Sequence, residues 1–395
     1  MNLDMSLPPS LNTCPEVECT QTASGVGLIT LRRPRALNAL NLPMVRALTA
    51  ALLAWKEDAS VHAVAIRGSH KEGDFGAFCA GGDIRFFHQA ALAGDPALED
   101  FFTEEYALNH LVFTYPKPYV AFMDGIVMGG GMGISQGSRC RIVTERTRMA
   151  MPETHIGLFP DVGGGHFLGR CPGVLGEYLA LTGEVMHAEQ ALTAGLADVA
   201  LPAASLPAAW EALQQVKAGT PAAWAQAWHQ WLQEQGAKFG PGRAGVPGSG
   251  AEGQGSGWLP TEVAQAFAEP SVGAILASLN TAHTPASLHA AQTLRQRSPL
   301  MLHVALEQVR RARHLSLADD LRMERDLVRH CFHPHHLGRS PAQSETVEGI
   351  RALAVDKDHQ PRWNPATLEE VTPDMVEPFF ASPWPAHAHP LRALA

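Results

Sequence analysis

No CxxC pair occurs among the six cysteines, Cys14, Cys19, Cys79, Cys140, Cys171 and Cys331. Neither a disulfide framework nor a structural zinc site is therefore expected. No apolar run approaches the ~20 residues that a membrane span requires. Runs of lysine and arginine are also missing, and acids outnumber bases 39 to 30 for a formal net charge of −9. That balance excludes a general nucleic-acid-binding surface, so an anionic ligand would need a local basic cluster. The opening stretch MNLDMSLPPSLNTCPEVECT has early acids and prolines but no apolar centre and no arginine richness. It reads as neither a signal nor a transit peptide, and a cytoplasmic protein is expected. What remains is a chain of 395 residues, 46% hydrophobic and only 17% charged, which suits a compact enzyme with one large core or two domains.

The first half alternates buried strands with helices. GVGLITL (25–31), VHAVAIRG (61–68) and PYVAFMDG (118–125) read as strands, with two shorter pieces within 139–151. RRPRALNAL (32–40) reads as turn and loop, and LPMVRALTAALLAW (42–55) has helical spacing. This pattern implies a layered α/β architecture. Beyond about residue 200 nearly every segment has helical periodicity. The expected organisation is a loose leader at 1–23, an α/β core at 24–205 and a mainly helical region at 206–395. The Gly/Pro/Ser-rich stretch 236–257 lacks a following GK[ST] and a preceding strand, so it reads as a surface loop rather than a phosphate cradle.

Two elements join a buried strand to a glycine bend: FCAGGDI (78–84) after AIRG, and YVAFMDGIVMGGGMGISQG (119–137). Glycine at such a junction lets backbone amides approach a ligand. One amide from each element, acting together, would hold the oxygen of a polarised carbonyl. Tight packing of a helix on a sheet explains either element taken alone. A dinucleotide fingerprint does not fit the spacing.

ITLRRPRALNAL, FCAGGDI, KPYVAFMDGIVMGGGMG and MPETHIGLFPDVGG, in this order, resemble the crotonase (enoyl-CoA hydratase/isomerase) superfamily. TLRQRSP (293–299) and EGIRALAVDKDHQPRWNP (348–365) resemble its 3-hydroxyisobutyryl-CoA hydrolase branch. The resemblance implies a ββα spiral core followed by a C-terminal helical region, and coenzyme A bound across the two glycine elements. It further implies amide donors at Ala80 and Gly130, with Gly81, Gly82, Asp83 and Gly129 shaping the loops. Homo-oligomers are compatible with it, in a number that the sequence leaves open.

The carboxylates separate the activities. Hydratases of this superfamily use two glutamates; here one position holds Glu153 and the other Gly133. Paired acid and base work on one water is then poorly supported. Asp161, in LFPDVGGG, and Glu105, in EEYALNH, match acids of the hydrolase branch. Glu153 would direct water at the thioester or attack it to give an anhydride. Asp161 would accept the acyl hydroxyl or cap the helix that follows, and Glu105 would line the pocket or sit on a solvated helix face. The implied reaction is hydrolysis of 3-hydroxyisobutyryl-CoA in valine breakdown, with no cofactor beyond the substrate's own coenzyme A. Two alternatives are a hydratase or isomerase of the same superfamily, and a non-catalytic acyl-CoA-binding protein.

Among basic residues, Arg32, Arg33 and Arg35 form the local cluster that the phosphates demand, with Arg35 the chosen contact and Lys357 a weaker candidate. His330, His333, His335 and His336 read as a surface loop rather than a metal centre. His155 and His166 read as structural, and neither Ser135 nor Cys79 has the spacing of a nucleophile.

Overall fold

The computed structural model describes residues 14–241 and 258–395, together with the backbone of Met5 and Ser6. It resolves into two compact units whose segments interleave along the chain. The first comprises Met1–Gly82, Leu108–Met149 and Val185–Ala251, and the second Asp83–Ala107, Ala150–Glu184 and Glu252–Ala395. Among the described residues, no helix is long and apolar enough to cross a membrane.

The strands in chain order are β1 (Met5–Ser6), β2 (Val17–Gln21), β3 (Val26–Leu31), β4 (Ala63–Gly68) and β5 (Tyr119–Met123), followed by β6 (Ile126–Met128), β7 (Cys140–Val143), β8 (Arg148–Ala150), β9 (Val199–Ala200) and β10 (Lys238–Phe239). Eight form one sheet in the order β1-β2-β3-β4-β5-β7-β9-β10; β6 and β8 make a separate pair. The run from β3 to β9 is parallel throughout, with Val26 opposite Ala63, Val64 opposite Tyr119 and Val120 opposite Cys140. Within this run each successive strand of the large sheet is added at its growing edge. All of VGLITL and YVAFM is buried, as strands covered on both faces must be.

Helix Leu42–Glu57 is started by Asn41, whose side chain accepts from Met44 N at 2.9 Å. Its Trp55 lies so close to β3 that a Cβ at Gly27 would stand 2.7 Å from the indole. In the main core cluster, Val26, Leu28, Ala63, Ala65, Val120 and Phe122 of the sheet pack with Leu206, Trp210, Leu213, Trp224, Trp228 and Leu232. The sequence-based boundary at 205 is thus corrected. Helices Leu206–Gln215 and Pro221–Glu234 belong to the sheet's own unit, because its apolar face has to be covered. Conversely, residues 150–184 join the helical second unit.

Two smaller expectations also change. The leader 1–23 contains β2, paired antiparallel with β3 from Val17–Leu31 to Gln21–Gly27. Its alternation of buried and less buried residues is that of a near-edge strand. Within the expected loop 236–257, Lys238–Phe239 pairs with β9, while residues 242–257 lie outside the described residues.

The described part of the second unit is almost wholly helical. Phe87, Phe101 and Phe102 meet with centroids 4.8–5.5 Å apart, and Phe332 lies 5.4 Å from Phe102. Tyr106 extends the group at 6.1 Å from Phe102. This aromatic packing fills part of the unit's interior.

Replacement of Trp228 by alanine tests the reassigned boundary. With Trp228 in the sheet's core, Trp228→Ala should cost about 3–5 kcal/mol in urea unfolding. A loss under ~1 kcal/mol would place helix Pro221–Glu234 outside that core.

Candidate active site

One group of site residues lies in the first unit. Asn38 donates from its side chain to the carbonyls of Ser69 (2.8 Å) and Ala77 (2.7 Å), and its Oδ1 accepts from Arg33 N at 2.9 Å. Leu37 and Asn38 both have left-handed backbone, φ 50° and 57°, and the Leu37 carbonyl accepts from Ala80 N at 3.0 Å. Cys79 N donates to Ile126 O and Met128 N to Cys79 O, each at 3.0 Å. This seam sets the glycine bends side by side. A Cβ at Gly81 (φ +103°) would stand 3.6 Å from Gly130 N, and one at Gly131 only 2.3 Å from the Cys79 carbonyl. Glycine is required at 81 by its backbone and at 131 by space.

The expected donor Ala80 is corrected by this geometry, since its amide is spent on Leu37. Among the described residues, the amides of Gly82 and Gly130 have no protein acceptor. Gly82, two residues further on, is the better partner for Gly130. Two such donors can stabilise an oxygen that gains charge by several kcal/mol. Asp83 instead accepts from Phe86 N at 3.3 Å and starts helix Ile84–Ala93.

The basic cluster divides similarly. Arg32 pairs with Glu18 (2.6 Å) and Asp74 (2.7 Å), and Arg33 with Glu16 (3.1 Å). Arg35 is exposed and has no acidic partner among the described residues, which leaves its charge available. A cavity of about 1140 Å³ in the same unit is lined by Thr20, Thr30, Arg67, Phe75 and Trp210, among others, and contains none of the expected site residues.

The carboxyl groups lie in the second unit. Glu153 opens the short helix Glu153–Ile156, which ends at Gly157 with φ 67°. Later residues brace this turn. Ser298 N donates to Thr154 O (3.1 Å), the Thr346 hydroxyl donates to Gly157 O (2.6 Å), and a Cβ at Gly157 would stand 2.3 Å from Glu345 O. Glu105 sits in helix Ala97–Phe113, and its neighbour Tyr106 donates its hydroxyl to Asp161 Oδ2 at 2.9 Å.

Glu105, Glu153 and Asp161 are 2%, 6% and 5% exposed, so all three carboxyls are removed from water. Glu105 Oε1 and Glu153 Oε2 have no hydrogen-bond partner among the described residues. Burial, reinforced by the charge of Asp161, holds Glu105 and Glu153 well above the usual carboxylate range. Burial raises Asp161 to about 7 against the pull of the Tyr106 hydroxyl. A buried acid of this kind can accept or return a proton near neutral pH.

Further residues that the sequence reading passed over complete the arrangement. Glu324 accepts from Gly163 N (2.7 Å) and Gly165 N (2.9 Å), and Asp320 accepts from His166 N (2.8 Å). Gln308 donates to Pro160 O (2.6 Å) and to Glu324 (3.0 Å). The signal was available: Asp320, Glu324, Leu327, Val328 and Cys331 share one buried stripe of helix Leu317–Phe332. Acids on an apolar stripe require partners.

The remaining candidates have other partners. Ser135 Oγ donates to Gly131 O at 2.8 Å, His333 pairs with Glu99 at 3.1 Å, and His330 lies 2.9 Å from Ala381 O. Lys357 is exposed.

The family pattern described as enoyl-CoA hydratase/isomerase matches residues 26–380. A Xenopus tropicalis protein named 3-hydroxyisobutyryl-CoA hydrolase, mitochondrial, is 38% identical over 94% of this chain and 90% of its own. An Arabidopsis thaliana protein named probable 3-hydroxyisobutyryl-CoA hydrolase 3 is 35% identical over 90% of this chain and 89% of its own. A solved structure of a carnitinyl-CoA dehydratase from Mycobacterium thermoresistibile superposes with a TM-score of 0.79 at 37% identity, covering 94% of this chain and 98% of the other. An enoyl-CoA hydratase from Rhodobacter sphaeroides 2.4.1 gives 0.76 at 35%, covering 93% and 98%.

The raised Asp161 makes stability depend on pH. The unfolded chain ionises this carboxyl near 4 and the folded one near 7, so the native state loses stability as pH rises across that interval. Asp161→Asn removes the loss. Its stability relative to the parent should be unchanged near pH 4 and should gain on the order of 4 kcal/mol by pH 8. A difference that stays flat from pH 4 to 8 in denaturant titrations would refute the raised value.

Proposed function

The chain belongs to the enoyl-CoA hydratase/isomerase family, and from that premise we propose that it hydrolyses the thioester of 3-hydroxyisobutyryl-CoA, or a close 3-hydroxyacyl-CoA, to the hydroxy acid and free coenzyme A. The observation that carries this reading is the set of buried acids. Glu153 is present with an unpartnered carboxyl oxygen, Asp161 and Glu105 flank it electrostatically, and position 133 is a glycine inside a buried helix. The names of the Xenopus and Arabidopsis relatives support it.

In this reading, the amides of Gly82 and Gly130 polarise the thioester carbonyl. Glu153 takes a proton from water as its oxygen attacks the carbonyl carbon. The C–S bond then breaks, and the departing sulfur takes that proton back. Asp161, held by Tyr106, accepts the hydrogen bond of the acyl hydroxyl, and Arg35 supplies positive charge for the phosphates. Water is the sole co-reactant, and coenzyme A enters as part of the substrate.

The purified protein should release thiol from 3-hydroxyisobutyryl-CoA without added metal or nucleotide. Glu153→Gln should lower kcat by about 10²–10⁴-fold with the fold intact. Because the base must be unprotonated, kcat/KM should rise with pH to a midpoint well above the usual carboxylate range, as Glu153's raised pKa requires. Asp161→Asn should cut the preference for isobutyryl-CoA bearing the hydroxyl over isobutyryl-CoA lacking it by about tenfold or more. A full rate in Glu153→Gln would remove the assigned base.

The two solved relatives, named a carnitinyl-CoA dehydratase and an enoyl-CoA hydratase, favour a second reading, hydration or dehydration of an acyl-CoA. Gly133 weighs against it, because no second carboxylate stands at that position. Loss of crotonyl-CoA absorbance on mixing, faster than thiol release from the hydroxy ester, would decide for it. On compartment, the expected cytoplasmic location conflicts with the word mitochondrial in the Xenopus relative's name, and cell fractionation would resolve it.

A further inference from the structure

We propose that Glu324 is a positioning residue for Asp161: it latches the turn 161–166 in the conformation that presents Asp161 to the acyl hydroxyl. Preference for hydroxylated substrates then depends on a residue 163 positions away in sequence that need not touch them (Asp161 to Glu324). The inference rests on the hydroxyl-binding role given to Asp161 under Proposed function.

The turn does not hold itself. Val162, a β-branched residue, has φ 58°, and Gly163 follows with φ 85°. A β-branched side chain in the left-handed region is strained, and such a conformation persists only where its surroundings impose it. One bond internal to the turn, Gly164 N to Asp161 O at 2.7 Å, is too little to impose it. The rest comes from helix Leu317–Phe332 and its neighbour Pro299–Ala312. Glu324 Oε2 and Oε1 accept from Gly163 N (2.7 Å) and Gly165 N (2.9 Å), while Asp320 Oδ2 accepts from His166 N (2.8 Å). Gln308 joins Glu324 Oε1 (3.0 Å) to Pro160 O (2.6 Å) and so fixes the residue before Asp161 as well.

The geometry leaves room for nothing else. A Cβ at Gly165 would lie 2.5 Å from Asp320 Oδ1, so the third glycine of DVGGGH exists to admit these acids. Glu324 and Asp320 are fully buried, and a carboxyl that accepts from the amides of Gly163 and Gly165 fixes the direction of both. Gln308 Nε2 and the two glycine amides together satisfy both oxygens of Glu324. Its carboxyl is therefore committed to the turn.

Glu324→Gln keeps the shape but aims a side-chain N–H at one of the two amides, so one bond is lost. Three readouts test the latch. Hydrogen exchange of the peptide spanning 159–168 should quicken in Glu324→Gln. kcat/KM for 3-hydroxyisobutyryl-CoA should fall about 10–100-fold, while that for isobutyryl-CoA changes less than about threefold. Adding Val162→Gly, which lets the turn form without strain, should restore much of the preference. Gln308→Met, a milder change to the same clamp, should shift preference in the same direction and replaces Glu324→Gln should that variant not fold.

Equal loss on both esters would mean that Glu324 only supports the fold, and unchanged exchange would mean that it does not hold the turn. Either overturns the inference. Asp161→Asn run alongside separates the two ideas. If it loses the preference while Glu324→Gln keeps it, the latch is wrong and the hydroxyl role stands. If Asp161→Asn keeps the preference, the hydroxyl role falls and takes the latch with it.

Discussion

Burying a carboxyl group is the cost around which the second unit is organised. A charged carboxylate withdrawn from water must be paired, hydrogen-bonded or neutralised. Here the three groups nearest the proposed chemistry are not paired with cations, so they shift toward the protonated form. Elsewhere in the unit the other solution is used: Glu99 meets Arg325, Arg329 and His333 and is held well below the usual carboxylate range. Asp320, Glu324 and Glu345 are likewise buried and pushed upward, but Glu324 and Glu345 are spent on backbone amides and a hydroxyl, as is one oxygen of Asp320. Glu105 and Glu153 each keep a carboxyl oxygen without a partner among the described residues. Such groups mark functional sites more often than structural ones.

The first unit answers a different constraint, the accounting of backbone amides. Each buried N–H must find an acceptor, and the seam between Leu37, Cys79, Ile126 and Met128 uses most of them. The amides left over, at Gly82 and Gly130, follow residues with left-handed backbone, Gly81 at φ 103° and Gly129 at φ 47°. Where the chain reverses its hand, the ladder cannot continue, and the next N–H is turned away from its neighbours. Two amides left over in this way are a by-product of two glycine bends forced together, and they need no side chain to present them.

How far the sequence disclosed this depends on whether the deciding interaction is local. The parallel strands were legible, because wholly apolar runs such as VGLITL and YVAFM admit few other readings. Glu105, Glu153 and Asp161 were also legible as a group through their motifs. The choice of Ala80 over Gly82 was not, since it turns on where the Leu37 carbonyl points after two left-handed residues. Nor was the boundary at 205. Trp210, Trp224 and Trp228 read correctly as helix positions, but periodicity cannot tell which unit a helix covers. Strand β2 went unread because its short alternating stretch follows prolines and acids.

The distribution of bracing contacts gives the C-terminal region a role beyond bulk. Thr346, Glu345 and Ser298 brace the turn that carries Glu153, and Gln308, Asp320 and Glu324 brace the one that carries Asp161. Both acids sit on short, glycine-terminated turns with little regular hydrogen bonding of their own, as at Gly157 and Gly163. A turn of that kind samples many conformations unless distant groups restrict it. Residues 298–346 supply that restriction, so the conformation of 153–166 is set by chain more than a hundred residues later. The proposed chemistry and the helical region are for this reason one structural problem, and a change far along the chain is expected to act on the acids through their turns rather than through contact with substrate.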